Sequence, residues 1–200
     1  MLMSKYQKYL FCTSAIVFVL SLSACSKEKK EAELITNPFK VYKISKGEHF
    51  SENSIFKAIS GLKAMSFTVI FDSTAKYTTV IPQNQYDINK LYGFADNNKF
   101  HHLFSARIGW RWISNNLELL GYVYNDSIVK YTPIGFFPLN TELPCKIEVA
   151  GKKYLFRVNN TLAELPRTSP DSTATGYQLY PYFGGDETAP HDIYIRIKEN

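Results

Sequence analysis

Cysteine is scarce: the 200 residues hold only Cys12, Cys25 and Cys145. Tryptophan is limited to two residues and methionine to three. No apolar run reaches the roughly 20 residues that a membrane-spanning helix needs; the longest, Tyr9 to Leu22, is shorter and contains Ser and Thr. Charge of one sign is not in great surplus either. Lys and Arg number 23 against 18 Asp and Glu, a net +5, too mild an excess to point to nucleic acid as a partner. There is no Gly-x-Ser-x-Gly, phosphate loop, Cys-x-x-Cys or His-Glu-x-x-His, so no ready-made hydrolase, nucleotide, redox or zinc-protease motif is present.

What is present begins at the N-terminus. Lys5 and Lys8 form a positive segment, Tyr9 to Leu22 a largely apolar one, and Leu22-Ser23-Ala24-Cys25 places small residues before a cysteine. A secretory signal has this form, and the final four residues have the form of a bacterial lipobox. The expectation is cleavage before Cys25 and acylation of its thiol, giving a lipid anchor in the membrane. One acyl chain anchors weakly and two or more hold stably. A short transmembrane helix or an unlipidated signal are the alternatives. Ser26-Lys27-Glu28-Lys29-Lys30-Glu31-Ala32-Glu33 is too polar to bury a core and reads as a solvated tether. Ser26 is not Asp, so the inner-membrane retention signal of enteric bacteria is absent, and the Lys/Glu mixture is similar to a surface-export signal. The expected location is the cell envelope, in the outer membrane and exposed at its surface, with a plain spacer as the alternative.

This divides the chain into a signal peptide over 1–24, a lipidated tether over 25–40 and one domain over 41–200. Removing residues 1–24 takes away two lysines and no acid, so the net charge falls from +5 to +3. Cys12 leaves with the signal and Cys25 is consumed by lipid. Cys145 then has no disulfide partner. It begins the alternation Cys145, Ile147, Val149, which favours a small buried hydrophobe over a catalytic thiol.

Fourteen Tyr and fourteen Phe point to β-structure. Ser51-Glu52-Asn53-Ser54 followed by Ile55, Phe56, Ala58, Ile59 and Leu62 predicts one short helix near the N-terminus of the domain. Strands are expected at 67–71 and 77–81. Residues 104–112 and 117–124 form the clearest hairpin, turning at Ser114-Asn115-Asn116. Further strands are expected at 127–132, 135–139, 145–150, 153–159, 176–183 and 192–198, with Gly151-Lys152 as a tight turn and 161–175 as a loop. The fold class is mainly β, a two-sheet antiparallel sandwich or jelly roll with that one short helix.

Alternation in the hairpin puts Phe104, Ala106, Ile108, Trp110 and Trp112 on one face and Arg107 and Arg111 on the other. Glu118, Tyr122 and Tyr124 join the arginines. Guanidinium groups flanked by tyrosines suit an anionic or neutral glycan, because guanidinium grips carboxylate or sulfate bidentately. A plain cross-strand ladder with Arg111 paired to Glu118 is the alternative. Residues 83–96 read as a polar loop, followed by His101 and His102. There Asp87, Asn89 and Asp96 are candidate calcium ligands, although no cofactor is required. Adjacent His101 and His102 are a poor zinc pair, but a histidine beside Arg107 suits acid–base work. In 180–192, Asp186, Glu187 and Asp192 are further cation candidates, with a shaped loop as the alternative. The candidate ligand-binding set is Arg107, Arg111, Tyr122 and Tyr124, with His102 and Asp96 at its rim.

Phe71-Asp72-Ser73-Thr74-Ala75-Lys76-Tyr77, Asp87-Ile88-Asn89-Lys90-Leu91-Tyr92-Gly93-Phe94, Ser105-Ala106-Arg107-Ile108-Gly109-Trp110-Arg111-Trp112 and Tyr182-Phe183-Gly184-Gly185 together resemble an uncharacterised family of Bacteroidetes lipoproteins. The resemblance spans most of 41–198 and implies a lineage, with no activity attached. More loosely, the sandwich resembles the jelly rolls of lectins, glucanases and alginate lyases. The paired carboxylates of the glucanases are not found as a motif, and the Arg/Gln-His/Tyr set of the lyases does not match in order. The leading expectation is an envelope module that binds glycan or another extracytoplasmic ligand. A polysaccharide lyase or hydrolase, and a structural interaction protein, are the alternatives.

Overall fold

A computed structural model describes residues 38–200. The signal peptide, Cys25 and most of the tether lie outside the described residues. Twelve strands build two antiparallel sheets of six. In chain order they are β1 (Lys40–Ile44), β2 (Ala58–Leu62), β3 (Ala64–Phe71), β4 (Asn89–Ala95), β5 (Phe104–Ile113), β6 (Asn116–Asn125), β7 (Ile128–Phe137), β8 (Leu143–Ala150), β9 (Lys153–Val158), β10 (Thr161–Pro166), β11 (Ala174–Leu179) and β12 (Ile193–Glu199). One sheet has the order β1-β12-β3-β8-β9-β10, the other β2-β11-β4-β5-β6-β7. This is the sandwich that the alternating sequence predicts.

The inner faces follow from that alternation. Phe67, Val69 and Phe71 of β3 and Ile193, Ile195 and Ile197 of β12 meet Ala106, Ile108 and Trp110 of β5 and Leu117, Leu119 and Val123 of β6 in one core. Gly121 is required there, because a Cβ would approach the Phe156 ring of the opposite sheet to 2.7 Å. Trp110 is fully buried and Cys145 nearly so. The Cys145 thiol is pushed up by burial, which removes any thiolate at neutral pH.

The predicted helix over 51–62 does not form. Residues 58–62 pair with β11 instead, Ile55 and Phe56 stay exposed, and Gly61 takes a positive φ of 65°. Sheet pairing overrides the helical spacing, and Ile59 and Leu62 pack against the core from the strand instead. The only helical elements among the described residues are 3₁₀ turns at Ser73–Ala75 and Pro82–Tyr86. Residues 77–81 form no strand. The Val80 and Ile81 backbone N–H groups donate to Glu187 and that of Thr79 to Gln85, so side chains take the donors a neighbouring strand would have used. Half of the expected polar loop over 83–96 is β4, whose Leu91, Tyr92 and Phe94 are core residues. Part of the expected loop 161–175 is β10. The two strands expected at 127–132 and 135–139 are one bulged strand, β7.

Candidate functional site

The β5–β6 hairpin is in the register its sequence implies: Arg107 opposes Tyr122, Ser105 opposes Tyr124 and Arg111 opposes Glu118. All face away from the core. Yet Arg107 is only 5% exposed, because segments of three loops close over the outer face. Phe50, Phe100, His101, His102 and Tyr182 from these segments join Lys90, Arg107 and Tyr124 around a cleft of about 380 Å³. Among the described residues no Asp or Glu lines it.

Two cations form the interior of this cleft. The Arg107 guanidinium lies over the Tyr122 ring, 5.7 Å from its centroid, and its Nε is enclosed without a hydrogen-bond partner. Burial lowers its pKa, and the surrounding tyrosines oppose that shift. Lys90 Nζ lies 5.0 Å from the same ring and 6.0 Å from that of Tyr182. Its pKa is pushed down to about 8, first by burial and then by Arg107, against a smaller pull from Asp87. Neither cation forms an ion pair among the described residues. Two nearby unpaired cations in a partly dehydrated cleft are costly unless an anion joins them. Glycine makes the crowding feasible: a Cβ at Gly184 would lie 2.7 Å from Lys90 Nζ, and one at Gly93 2.9 Å from Arg107 Cγ.

The wall is aromatic. Phe100, His101 and His102 cluster with ring centroids 4.3–5.1 Å apart. His102 lies 5.2 Å from Tyr124, and Tyr124 5.8 Å from Tyr122. The Tyr177 hydroxyl accepts from the His101 backbone N–H at 3.1 Å and lies 2.8 Å from His101 Nδ1. Burial first, then Arg107 and His102, push His101 down to about 4. His101 is therefore neutral at pH 7, and Nδ1 and the Tyr177 hydroxyl share one proton across this contact. Burial, Arg107 and Lys90 lower the His102 pKa as well. His102 is neutral too, with no protein hydrogen bond to its ring nitrogens among the described residues.

The candidate set thus divides. Arg107, Tyr124 and His102 share the cleft, and Tyr122 supports Arg107 from beneath. Arg111 does not line it: Nε donates to Glu118 Oε2 at 2.6 Å and a terminal nitrogen donates to the Tyr86 carbonyl oxygen. The cross-strand ladder describes Arg111, whereas the cleft describes Arg107. Asp96 is not at the rim. It is fully buried, accepting from Arg167 Nε at 2.8 Å and from the Tyr154 hydroxyl at 2.5 Å. There it anchors the 96–104 loop, whose Asn97 N–H it also accepts.

Three more of the proposed cation ligands are likewise occupied. Asn89 donates to the Tyr77 hydroxyl and accepts from Gly184 N. Glu187 caps the backbone of Val80 and Ile81, and Asp192 pairs with Lys43. Among the described residues no group of three or more His, Cys, Asp or Glu is placed to hold a metal ion. Lys90, Tyr177, Phe50 and Phe100 were not singled out from sequence. Lys90 sits in a polar run where nothing distinguishes a half-buried lysine from a solvated one, whereas Tyr182 belongs to the 180–192 segment.

No protein-family model and no curated protein matches the chain. Solved structures do. The alginate lyase AlyC3 superimposes with a TM-score of 0.56 at 12% identity, over 81% of this chain and 74% of that one. A glycoside hydrolase family 16 endo-glucanase from Bacteroides ovatus gives 0.55 at 9% identity, over 80% and 79%. LamAcat from Zobellia galactanivorans gives 0.51 at 10%, over 82% and 76%. At such identities the likeness establishes the fold, a jelly roll shared with glucanase and lyase structures, and leaves function to the site.

Proposed function

We propose that this cleft binds an acidic glycan, with a uronate carboxylate or a sulfate received by Arg107 and Lys90. The observation that carries this reading is the pair of unpaired cations inside an aromatic cleft that, among the described residues, no carboxylate lines. An anion would supply the missing partner, and the rings of Tyr124, Tyr182 and Phe50 would stack on sugar faces. An AlyC3 structure with dimannuronate has the same fold, which is compatible with this ligand class. Titration with oligouronates and sulfated oligosaccharides tests it: Arg107→Ala loses binding while Arg111→Ala keeps it. Absence of any acidic-glycan binding that depends on Arg107 rejects the reading.

A second reading is favoured by one specific arrangement. His102 is neutral and without a ring hydrogen bond among the described residues, and it shares the cleft with Arg107 and with Tyr124, whose ring lies 5.2 Å from its own. In a β-elimination Arg107 would neutralise the uronate carboxylate and His102 would take the proton from C5. The electron pair would form the C4–C5 double bond as the C4–oxygen bond breaks, and Tyr124 would protonate the leaving oxygen. Appearance of the unsaturated-sugar absorbance, lost in His102→Ala, would support it. No such absorbance across a uronate panel would leave a binding module. Two-carboxylate hydrolysis has no pair of acids in this cleft to work with.

The chain is further proposed to be anchored through acylated Cys25 in the outer membrane, with the charged run 26–33 as its spacer. Cys25→Ser would then move the protein from the membrane to the soluble fraction, and an unchanged distribution would reject the anchor.

A further inference from the structure

We infer that the binding track continues past the cleft onto the outer face of β7, where Tyr131 is a second stacking platform for the same glycan chain. This rests on the acidic-glycan reading. Arg107 on β5 pairs with Tyr122 on β6, and Tyr122 pairs with Tyr131 on β7. Directly paired residues share a sheet face, so the three form one row across the sheet. Val129, Pro133 and Phe136 face the same way, opposite Tyr124, Leu120 and Glu118.

β7 is an edge strand, and these side chains are exposed. Tyr131 is 53% exposed and Phe136 59%. A lone exposed apolar side chain is ordinary, and edge strands are commonly guarded by charge. Here four apolar residues line up on one face, in register with a buried, unpaired arginine. Strands lie 4.7–4.9 Å apart, so Tyr131 stands about 10 Å from Arg107 across two of them. That distance exceeds one sugar ring and suits a chain whose acidic residue sits on Arg107. At the cleft itself, Phe50 and Phe100 are exposed lining residues as well.

The test uses oligouronates of two, four and six residues titrated into the wild-type protein, Tyr131→Ala, Tyr131→Phe and Arg107→Ala. Affinity rises with chain length in the wild type. Tyr131→Ala loses about tenfold on the hexamer, the scale of one aromatic contact, and nothing on the dimer. Tyr131→Phe keeps the hexamer affinity, because it keeps the ring. If dimer binding depends on Arg107 but Tyr131→Ala binds hexamer like the wild type, the extended track is overturned and the cleft reading stands. If no oligouronate binds at any length, both fall. Self-association that Tyr131→Ala abolishes without changing hexamer affinity would assign β7 to contacts between copies, and would also overturn the inference.

Discussion

Arg107 and Tyr122 face each other across β5 and β6, with the guanidinium 5.7 Å from the ring centroid and its Nε left without an acceptor. The ring offers a weakly attractive face but does not replace the hydration that the cation loses. The arrangement holds a charge ready for an anion at some cost to the empty protein.

The first prediction follows from that cost. A buried donor without a partner costs about 1–3 kcal/mol, so Arg107→Met raises the midpoint of thermal unfolding while abolishing acidic-glycan binding. Calorimetry with and without oligouronate measures both. A midpoint that falls would mean that Arg107 makes a stabilising contact in the empty cleft.

Lys90 gives a pH prediction. Its pKa in the fold is pushed down to about 8 from an unfolded value near 10.4. Between these values the unfolded chain binds more protons, so stability rises with pH across that interval. Below pH 8 both states carry the charge and the full penalty is present; above the unfolded value both are neutral and the penalty is gone. Arg107, Asp87, Tyr122 and Tyr182 surround Lys90, so the comparison must be with Lys90→Met. Relative to that variant, wild-type stability climbs from pH 8 to 10, and glycan affinity declines over the same range as Lys90 loses its charge. Parallel pH profiles for the two proteins would refute it.

The hairpin was legible because strict alternation over residues 104–124 settles which side chains face the core, and the register then places Arg107 beside Tyr122. Closure of the cleft was not legible. Phe50, His101 and Tyr182 come from segments far apart in sequence, and only the loop paths bring them to Lys90. Asp96 was misread for a related reason: its partner Arg167 lies 71 residues away, and local pattern cannot distinguish a buried acid from a solvated one. The segment 51–62 has helical spacing, but pairing with β11, distant in sequence, takes its second half into the sheet.

The Asp96–Arg167 pair supports the loop that carries both histidines. Each side chain is essentially inaccessible, and removing one partner strands the other charge, at about 3–5 kcal/mol. Arg167→Met therefore destabilises by that amount in urea titration. Asp96→Asn with Arg167→Met destabilises by less than the sum of the single changes, because no uncompensated charge remains. Additive effects would show that the two residues do not act as a pair.

Gly93 ties the fold to the site. A Cβ there would overlap the Ala106 carbonyl oxygen and come within 2.7 Å of Arg107 Cα. These are backbone atoms of the neighbouring strand, so they cannot swing aside as a flexible side chain would. Forcing in one methyl pushes β4 away from β5 next to Arg107, and overpacking of this kind costs roughly 1–3 kcal/mol. Gly93→Ala accordingly lowers stability and weakens glycan binding together, because Arg107 moves with the strand. Gly151→Ala, at a turn where a Cβ would meet nothing within 4 Å but φ is 61°, lowers stability through backbone strain alone and leaves affinity intact. Measuring denaturation and oligouronate affinity on both variants separates crowding at the site from general destabilisation. If Gly93→Ala loses stability but binds normally, Arg107 is held by something other than its packing against β4.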